Sequence, residues 1–559
     1  MQTDIIKAFL VSSFNIENLA GFLNSANPQK SLEIKTAPFG QVESFLLNPG
    51  NFSDSEILIV WTTPDAVIKS FSDAVKYKPV PPEKIIEETE RFAELIISAS
   101  SKVKNIFVPS WVMPSYYRGY GLLDLKNKSG ISNILMRMNL ALAEKFELVS
   151  NIFLLNTQKW IERAGKNTFN PKLMYMGKIA FSNDVFKEAA ADIHAALNAI
   201  NGESRKIIIL DLDNTLWGGI VGDDGWENLK LGGHDPIGEA YADFQQKLKD
   251  MTNRGILLGI TSKNDENNVW EAFEKHPEMI LRKSDFIGWK INWDDKAKNI
   301  TLLLNEINLG MQSAVFIDDN PFERSRISAE IPEILVPEWP EDPMLYSKAL
   351  AELTCFDTAG VTAEDLERTR LYVTDKKRTE QQKSFGSYDE WLKSLEVKVT
   401  IENADKSNMQ RTVQLMNKTN QMNLTTRRLT EQELESWIAD KNNILKVFRV
   451  ADKFGDLGLT GIIGYSVNNN TCTIVDFILS CRIIGRKIEE TMLYKAVSDA
   501  RKKGAVNTKA KYIQTAKNKP CLEFWLKSGF EKSSNETEFI WNNEKQYLPP
   551  ESVEIKDLS

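Results

Sequence analysis

The sequence predicts an α/β protein whose first two domains are built on parallel sheets, followed by an α+β domain. Three observations carry this. Up to residue 340, short apolar runs alternate with stretches of helical periodicity, the pattern of strand–helix–strand units. Within 203–340, three of those runs end in polar side chains. From residue 395 the order changes to several strands in succession and then a helix, as in α+β domains. At 559 residues the chain exceeds a single core, and about three domains are expected.

In the first block, 1–202, IIKAFLVSS, EILIVWTT, KNIFVPS and SNIFLLN read as buried strands. NIENLAGFLNS and PEKIIEETERFAELIISASSKV place apolar residues at helical spacing. The result is a doubly wound α/β domain with no assigned role. Ser13, after the first strand, raises a serine-hydrolase reading, but a cap on the next helix is preferred. The supporting Asp-x-x-His is absent, because His194 lies in the helical stretch ADIHAALNAI. The second block, 203–340, has the strands RKIIILDLD, GILLGITS and SAVFIDD. IGEAYADFQQKLKDMTNRG and KAKNITLLLNEINLG form helices stopped by glycine. Proline in EIPEILVPEWPEDP marks the exit into a charge-rich helical connector, 341–394. The third block, 395–548, opens with VKVTI and the helix containing MQRTVQLMNKTNQ. Strands such as TCTIVDFILS follow, and then the turn and helix of CRIIGRKIEETMLYKAVSDARKKG. Residues 549–559 are expected to be a loosely held polar tail.

Composition narrows the partners. Apolar residues make up 42% and charged residues 26%, as in soluble globular proteins. A formal charge of -8 gives no support for nucleic acid as a partner. No apolar run is long enough for a membrane span, and the start has no secretory pattern. Cys355, Cys472, Cys481 and Cys521 are far apart, without a CxxC pair. That argues against a disulfide scaffold or zinc site and fits the cytoplasm.

The chemistry concentrates in IIILDLDNTLWGG. Four apolar residues run into two aspartates, which fits a strand buried on both faces and ending at a ligand crevice. Side chains at i and i+2 share a face, so Asp211 and Asp213 can serve one site. Asp211 suits a nucleophile that attacks phosphorus, and Asp213 a general acid and base. An anionic nucleophile attacking an anionic substrate requires a hard cation, for which Mg2+ is expected. Ser262 in ITSKN can bind a phosphoryl oxygen, and Lys296 in NWDDKAKNI offers a positive charge. Asp318 and Asp319 in FIDDNPFER can complete the metal shell. Each residue alone fits a cap, a solvated face or a turn. Their combination and order favour a site.

The order DxDxT, Ser/Thr, Lys, acidic pair resembles the haloacid dehalogenase superfamily. The resemblance implies a Rossmannoid domain in which Asp211 is the nucleophile and Asp213 the acid/base. The metal would be held by the Asp211 side chain, the Asp213 backbone carbonyl and an acid of the last pair. Asp319 is the preferred direct ligand and Asp318 its support. The short interval after Asp213 implies a small cap or none, and hence access for a bulky or protein-borne substrate. The domain in front is expected to be of SGNH/flavodoxin-like type.

Longer stretches resemble the FkbH family: LDLDNTLWGGIVGDDG, ITSKNDENNV, INWDDKAKNI, FIDDNPFER, NKTNQMNLTTRR and SCRIIGR. This implies taking a glyceryl group from 1,3-bisphosphoglycerate, removing phosphate and loading the group onto an acyl carrier protein. A stand-alone phosphatase and a non-catalytic scaffold are the alternatives. The third block resembles the GNAT acyltransferase fold, whose turn, here Arg482-Ile-Ile-Gly485-Arg486-Lys487, would hold a pyrophosphate or the phosphate of phosphopantetheine. Lys487 departs from that pattern, which has a small residue there. Trp525 stands where many such enzymes place a tyrosine acid, and indole cannot protonate a thiolate. Cys481 is either an acyl tether or a buried structural cysteine.

Overall fold

A computed structural model describes residues 5–26, 32–127, 129–233, 235–358, 378, 381, 385–515, 517–533 and 537–559. The chain forms two compact units, Met1–Leu197 with Thr430–Glu433 and Asn198–Leu429 with Leu434–Ser559.

The first unit holds a parallel sheet of β1 (Ile6–Ser12), β2 (Leu32–Thr36), β3 (Ile57–Trp61), β4 (Asn105–Pro109) and β5 (Ile152–Leu155), in the order 2-1-3-4-5. This is the strand order of flavodoxin-like doubly wound sheets. Strand β3, ILIVW, is wholly buried, as its unbroken apolar run predicts. Strand β2, LEIKT, lies at the edge with only Leu32 buried, which is why no apolar run announces it. Ser13 does not cap the following helix: its Oγ accepts from Thr63 N at 2.9 Å. Asn15 Oδ1 instead accepts from Glu17 N at the start of that helix. His194 Nε2 lies 2.6 Å from Leu23 O, committed to a backbone carbonyl rather than to Ser13.

In the second unit, β6 (Ile207–Leu210), β7 (Leu257–Ser262), β8 (Phe286–Ile291) and β9 (Ala314–Ile317) form a parallel sheet in the order 8-7-6-9. Alternation along β6 feeds two cores. Ile208 and Leu210 pack with Phe244 and Leu248 on one face, and Ile207 and Ile209 with Ile300 and Leu303 on the other. Strand β8 was not expected from the sequence, because Gly288 and Lys290 interrupt its apolar run. A Cβ at Gly288 would lie 2.6 Å from Leu303 Cδ1, so the glycine leaves room for that leucine against the strand. Gly310 does not stop the helix Lys296–Glu306; Asn308 takes the left-handed conformation first, with φ +55°.

The last sheet is mixed. It comprises β10 (Val397–Asn403), β11 (Met422–Asn423), β12 (Asn443–Asp452), β13 (Gly455–Asn468), β14 (Thr471–Leu479), β15 (Asn507–Lys511), β16 (Glu531–Lys532), β17 (Glu538–Asn542) and β18 (Val553–Asp557). The order is 16-17-15-14-13-12-10-18, with β11 on β14. The helical connector shows Tyr346–Ala351 and Tyr388–Ser394. Apart from Arg378 and Gln381, its stretch 359–384 lies outside the described residues.

The tail expected to hang loosely is an edge strand. Strand β18 pairs in parallel with β10, Val553 is buried, and Asp557 Oδ2 accepts from Lys495 Nζ at 2.7 Å. Five residues of alternating polarity are too short a signal to read as a strand. Removing 549–559 is expected to cost about 2 kcal/mol through the loss of Val553 burial and its ladder bonds, measured by urea unfolding. No helix among the described residues is long and apolar enough to cross a membrane.

Candidate active site

All four strands of the middle sheet are parallel, so their carboxyl ends share one edge. Asp211 follows β6, and its backbone N donates to Ile317 O at 3.0 Å, locking it beside the end of β9. Asp318 and Asp319 come next along the chain. Asp295 caps the helix Lys296–Glu306 by accepting from Lys298 N at 2.9 Å, which sets Lys296 at the helix start. Lys296 Nζ reaches Asp211 Oδ2 at 3.0 Å and Asp318 Oδ2 at 2.6 Å. Asp211, Asp318 and Asp319 each offer an oxygen, all within 4.8 Å of one another.

Three carboxylates face one ammonium in a largely buried site. Burial works against the charge on Lys296, but Asp211 and Asp318 outweigh it and hold its pKa above the ordinary lysine value. Burial and the neighbouring Asp211 push Asp318 up, against the pull of Lys296. Asp319 is raised by burial and by Asp211, with Thr215 opposing. Such an excess of negative charge calls for a cation. Asp211 Oδ1 is buried and, among the described residues, has no hydrogen-bond partner. An orphaned carboxylate oxygen in an all-oxygen cluster fits a hard divalent ion such as Mg2+. Asp318 has both oxygens engaged, Oδ2 by Lys296 and Oδ1 by Asn320 N. Asp319 accepts from Thr215 Oγ1 at 3.1 Å and is the less committed of the pair.

The Asp213 carboxylate stands apart from this cluster. Its Oδ1 accepts from Trp217 Nε1 at 2.9 Å and from Val221 N at 3.0 Å, and its Oδ2 from Asn264 Nδ2 at 2.9 Å. Burial raises its pKa despite those donors. Asn264 Nδ2 also approaches Ser262 Oγ at 3.2 Å, so one amide ties the second aspartate to the end of β7. The sequence reading missed Thr215, Trp217 and Asn264. Thr215 is the last residue of DxDxT and could have been found there; Asn264 had no signal beyond its proximity to Ser262. Among the described residues between Asp213 and the helix Pro236–Asn253, the helical elements are the short Val221–Asp224 and Trp226–Asn228.

The C-terminal candidates lie elsewhere. Asn308, in the loop before β9, donates from Nδ2 to Cys481 O at 2.7 Å. That places Cys481 at the amino end of the middle sheet, opposite Asp211. Gly485 takes φ +83°, but its N–H donates to Glu489 Oε1 at 2.7 Å. The chain's own carboxylate thus takes the donor expected to hold a phosphate. Burial pushes Glu489 up to about 7. Lys487 pairs with Glu490 at 2.8 Å. Trp525 is fully buried against Phe477, Phe530 and Phe539, a core residue rather than an acid. Arg482 borders a cavity together with Cys481.

No family model matches the sequence, and no curated protein matches it. Among solved structures, the chain is similar to the N-terminal part of protein BF1531 from Bacteroides fragilis, described as containing a phosphatase domain complexed with Mg. That likeness has a TM-score of 0.58 and 29% identity, and covers 64% of this chain and 94% of that one. A GNAT-family acetyltransferase from Staphylococcus aureus Mu50 matches at TM-score 0.21 and 10% identity, covering 26% of this chain and 99% of that one. An IAA acetyltransferase from Bacillus cereus matches at TM-score 0.20 and 14% identity, covering 26% and 99%. At those scores the acetyltransferases carry no argument.

Proposed function

We propose that this chain is a Mg2+-dependent phosphoryl-cleaving enzyme that works through an aspartyl phosphate on Asp211. The observation that carries this is the cluster of Asp211, Asp318 and Asp319 with Lys296 bridging two of them. The likeness to a phosphatase domain crystallised with Mg supports the same chemistry. Asp211, Asp319 and the Asp213 backbone carbonyl would hold the ion, which supplies charge neutralisation for the incoming phosphoryl group.

One Asp211 oxygen attacks phosphorus, and the ester P–O bond breaks. Lys296 Nζ, 3.0 Å from Asp211 Oδ2, orients that carboxylate. Asp213 Oδ1 already accepts two hydrogen bonds, so Oδ2, with a lone pair to spare, is the oxygen that carries the proton. That proton passes to the leaving alkoxide. Asp213 then takes a proton from water, which attacks phosphorus, releases orthophosphate and restores Asp211. Ser262, Oγ-linked to Asn264, is assigned to the phosphoryl oxygens.

The substrate we assign is a glyceryl phosphate derived from 1,3-bisphosphoglycerate. A thiolate, with Cys481 the candidate tether, attacks the acyl-phosphate carbonyl, and the C1–O bond breaks to release orthophosphate. The thiol of an acyl carrier protein then displaces Cys481 from the thioester. The short elements described between Asp213 and the helix Pro236–Asn253 suit a carrier-borne substrate. The cytoplasm is the expected compartment. Two measurements test this. Chelation should abolish phosphomonoester hydrolysis and Mg2+ restore it, with acid-quenched protein carrying one phosphoryl group on the Asp211 peptide. Incubation with bisphosphoglycerate and holo-carrier should give a glyceryl adduct by mass. Hydrolysis without that adduct leaves a stand-alone phosphatase.

A further inference from the structure

A cavity of about 100 Å3 lies at the amino end of the middle sheet, within the second unit. Its wall brings together stretches far apart in the chain: Lys206 before β6, the segment 308–310 before β9, the end of the helix Met409–Lys418, and Cys481 with Arg482 after β14. Among the described residues, its lining carries Lys206, Arg411, Lys418, Arg482 and Lys517 with one carboxylate, Glu203. The chain as a whole carries a formal charge of -8, so this concentration of positive charge runs against its composition. Arg482 adds an independent sign: its Nη1 is buried and, among the described residues, makes no hydrogen bond. A buried guanidinium N–H left without an acceptor is costly and asks for an anion.

The wall is built rather than loose. The Arg428 guanidinium donates to Met416 O and to the side-chain oxygen of Asn420, fixing the loop that carries Thr419, Asn420 and Gln421. On this measure a water takes about 10–15 Å3, so the space suits a phosphate-sized group with a short tail. It is not the Asp211 site. Lys206 and Asp211 flank opposite ends of β6, about 16 Å apart at the rise of an extended strand.

We propose that this cavity is a second, separate anion site that binds the phosphate of a small phosphorylated carboxylic acid through Arg482 and its cationic neighbours, next to the Cys481 thiol. The choice of a phosphorylated acid rests on the function proposed above; the anion site itself does not. An acid bound there meets sulfur at one end of the sheet, while phosphate is cleaved at the other.

Cys481 is the reporter. Its alkylation by iodoacetamide, followed by peptide mass analysis in the full-length protein, should slow at least about fivefold with 3-phosphoglycerate well above its dissociation constant. Glycerate, lacking the phosphate, should not protect. Arg482→Met should lose the protection. Asp211→Asn should keep it, whether or not that variant still hydrolyses phosphate, so failure of the phosphatase reading shows as retained hydrolysis with protection intact. Equal rates with and without phosphoglycerate overturn the proposal, as does protection by coenzyme A alone. Should Cys481 resist alkylation, calorimetry of Asp211→Asn with 3-phosphoglycerate decides. Adding Arg482→Met should weaken binding at least about tenfold, and unchanged isotherms overturn the assignment.

Discussion

Asp211→Asn is expected to lower Mg2+-dependent phosphomonoester hydrolysis by about 10^4-fold or more, as loss of a covalent nucleophile does. Asparagine keeps the size of the side chain and an oxygen for Lys296, so the fold should survive. In chelator the variant should melt at or above the wild-type temperature, because one of three facing carboxylates is gone. With Mg2+ the wild type should gain more stability than the variant, since ligand binding to the native state is the source of that gain. Turnover within tenfold of wild type would remove Asp211 from the chemistry, and with it the aspartyl phosphate.

The second large effect is expected at Lys296. Lys296→Met leaves Asp211 and Asp318 without their shared cation in a site where Lys296 is 4% exposed and Asp318 fully buried. Breaking a buried pair from one side costs about 3 kcal/mol or more, read by urea unfolding of chelator-treated protein. Hydrolysis should fall by about 10^2–10^3-fold, the usual cost of one charge-stabilising donor. The stability loss carries a pH signature. Lys296 pulls the Asp318 pKa down, so its removal raises further a carboxyl already held above its ordinary value. A carboxyl that binds its proton more tightly when folded favours folding at low pH and loses that advantage as pH rises. The destabilisation should therefore be larger at about pH 8 than at about pH 5. A pH-independent loss would mean that Lys296 acts by packing alone.

Legibility differed by element for physical reasons. Strands β6, β7 and β9 announce themselves because a parallel strand covered on both faces must be apolar throughout. Strands β2 and β18 do not, because their runs alternate with charged residues that face solvent, and β8 does not, because Gly288 and Lys290 break its apolar run. The aspartates, Ser262 and Lys296 were readable as polar residues at or beyond strand ends. Asn264 was not, because its importance lies in one amide reaching Asp213 across 51 residues of sequence. The turn at Gly485 matched a phosphate-binding pattern, and only coordinates reveal Glu489 reaching back to occupy its N–H.

By itself the sequence determined which segments are strands covered on both faces and which charged side chains follow them, since both are properties of consecutive residues. It could not say which strand ends are neighbours. The order 8-7-6-9 places the end of β9 beside that of β6, so Asp318 meets Asp211 through Lys296. The same packing sends Cys481 to the far end, beside Asn308 and a cationic cavity. Adjacency of this kind arises from long-range burial of two helical layers against one sheet, a cooperative choice that no local run of residues encodes.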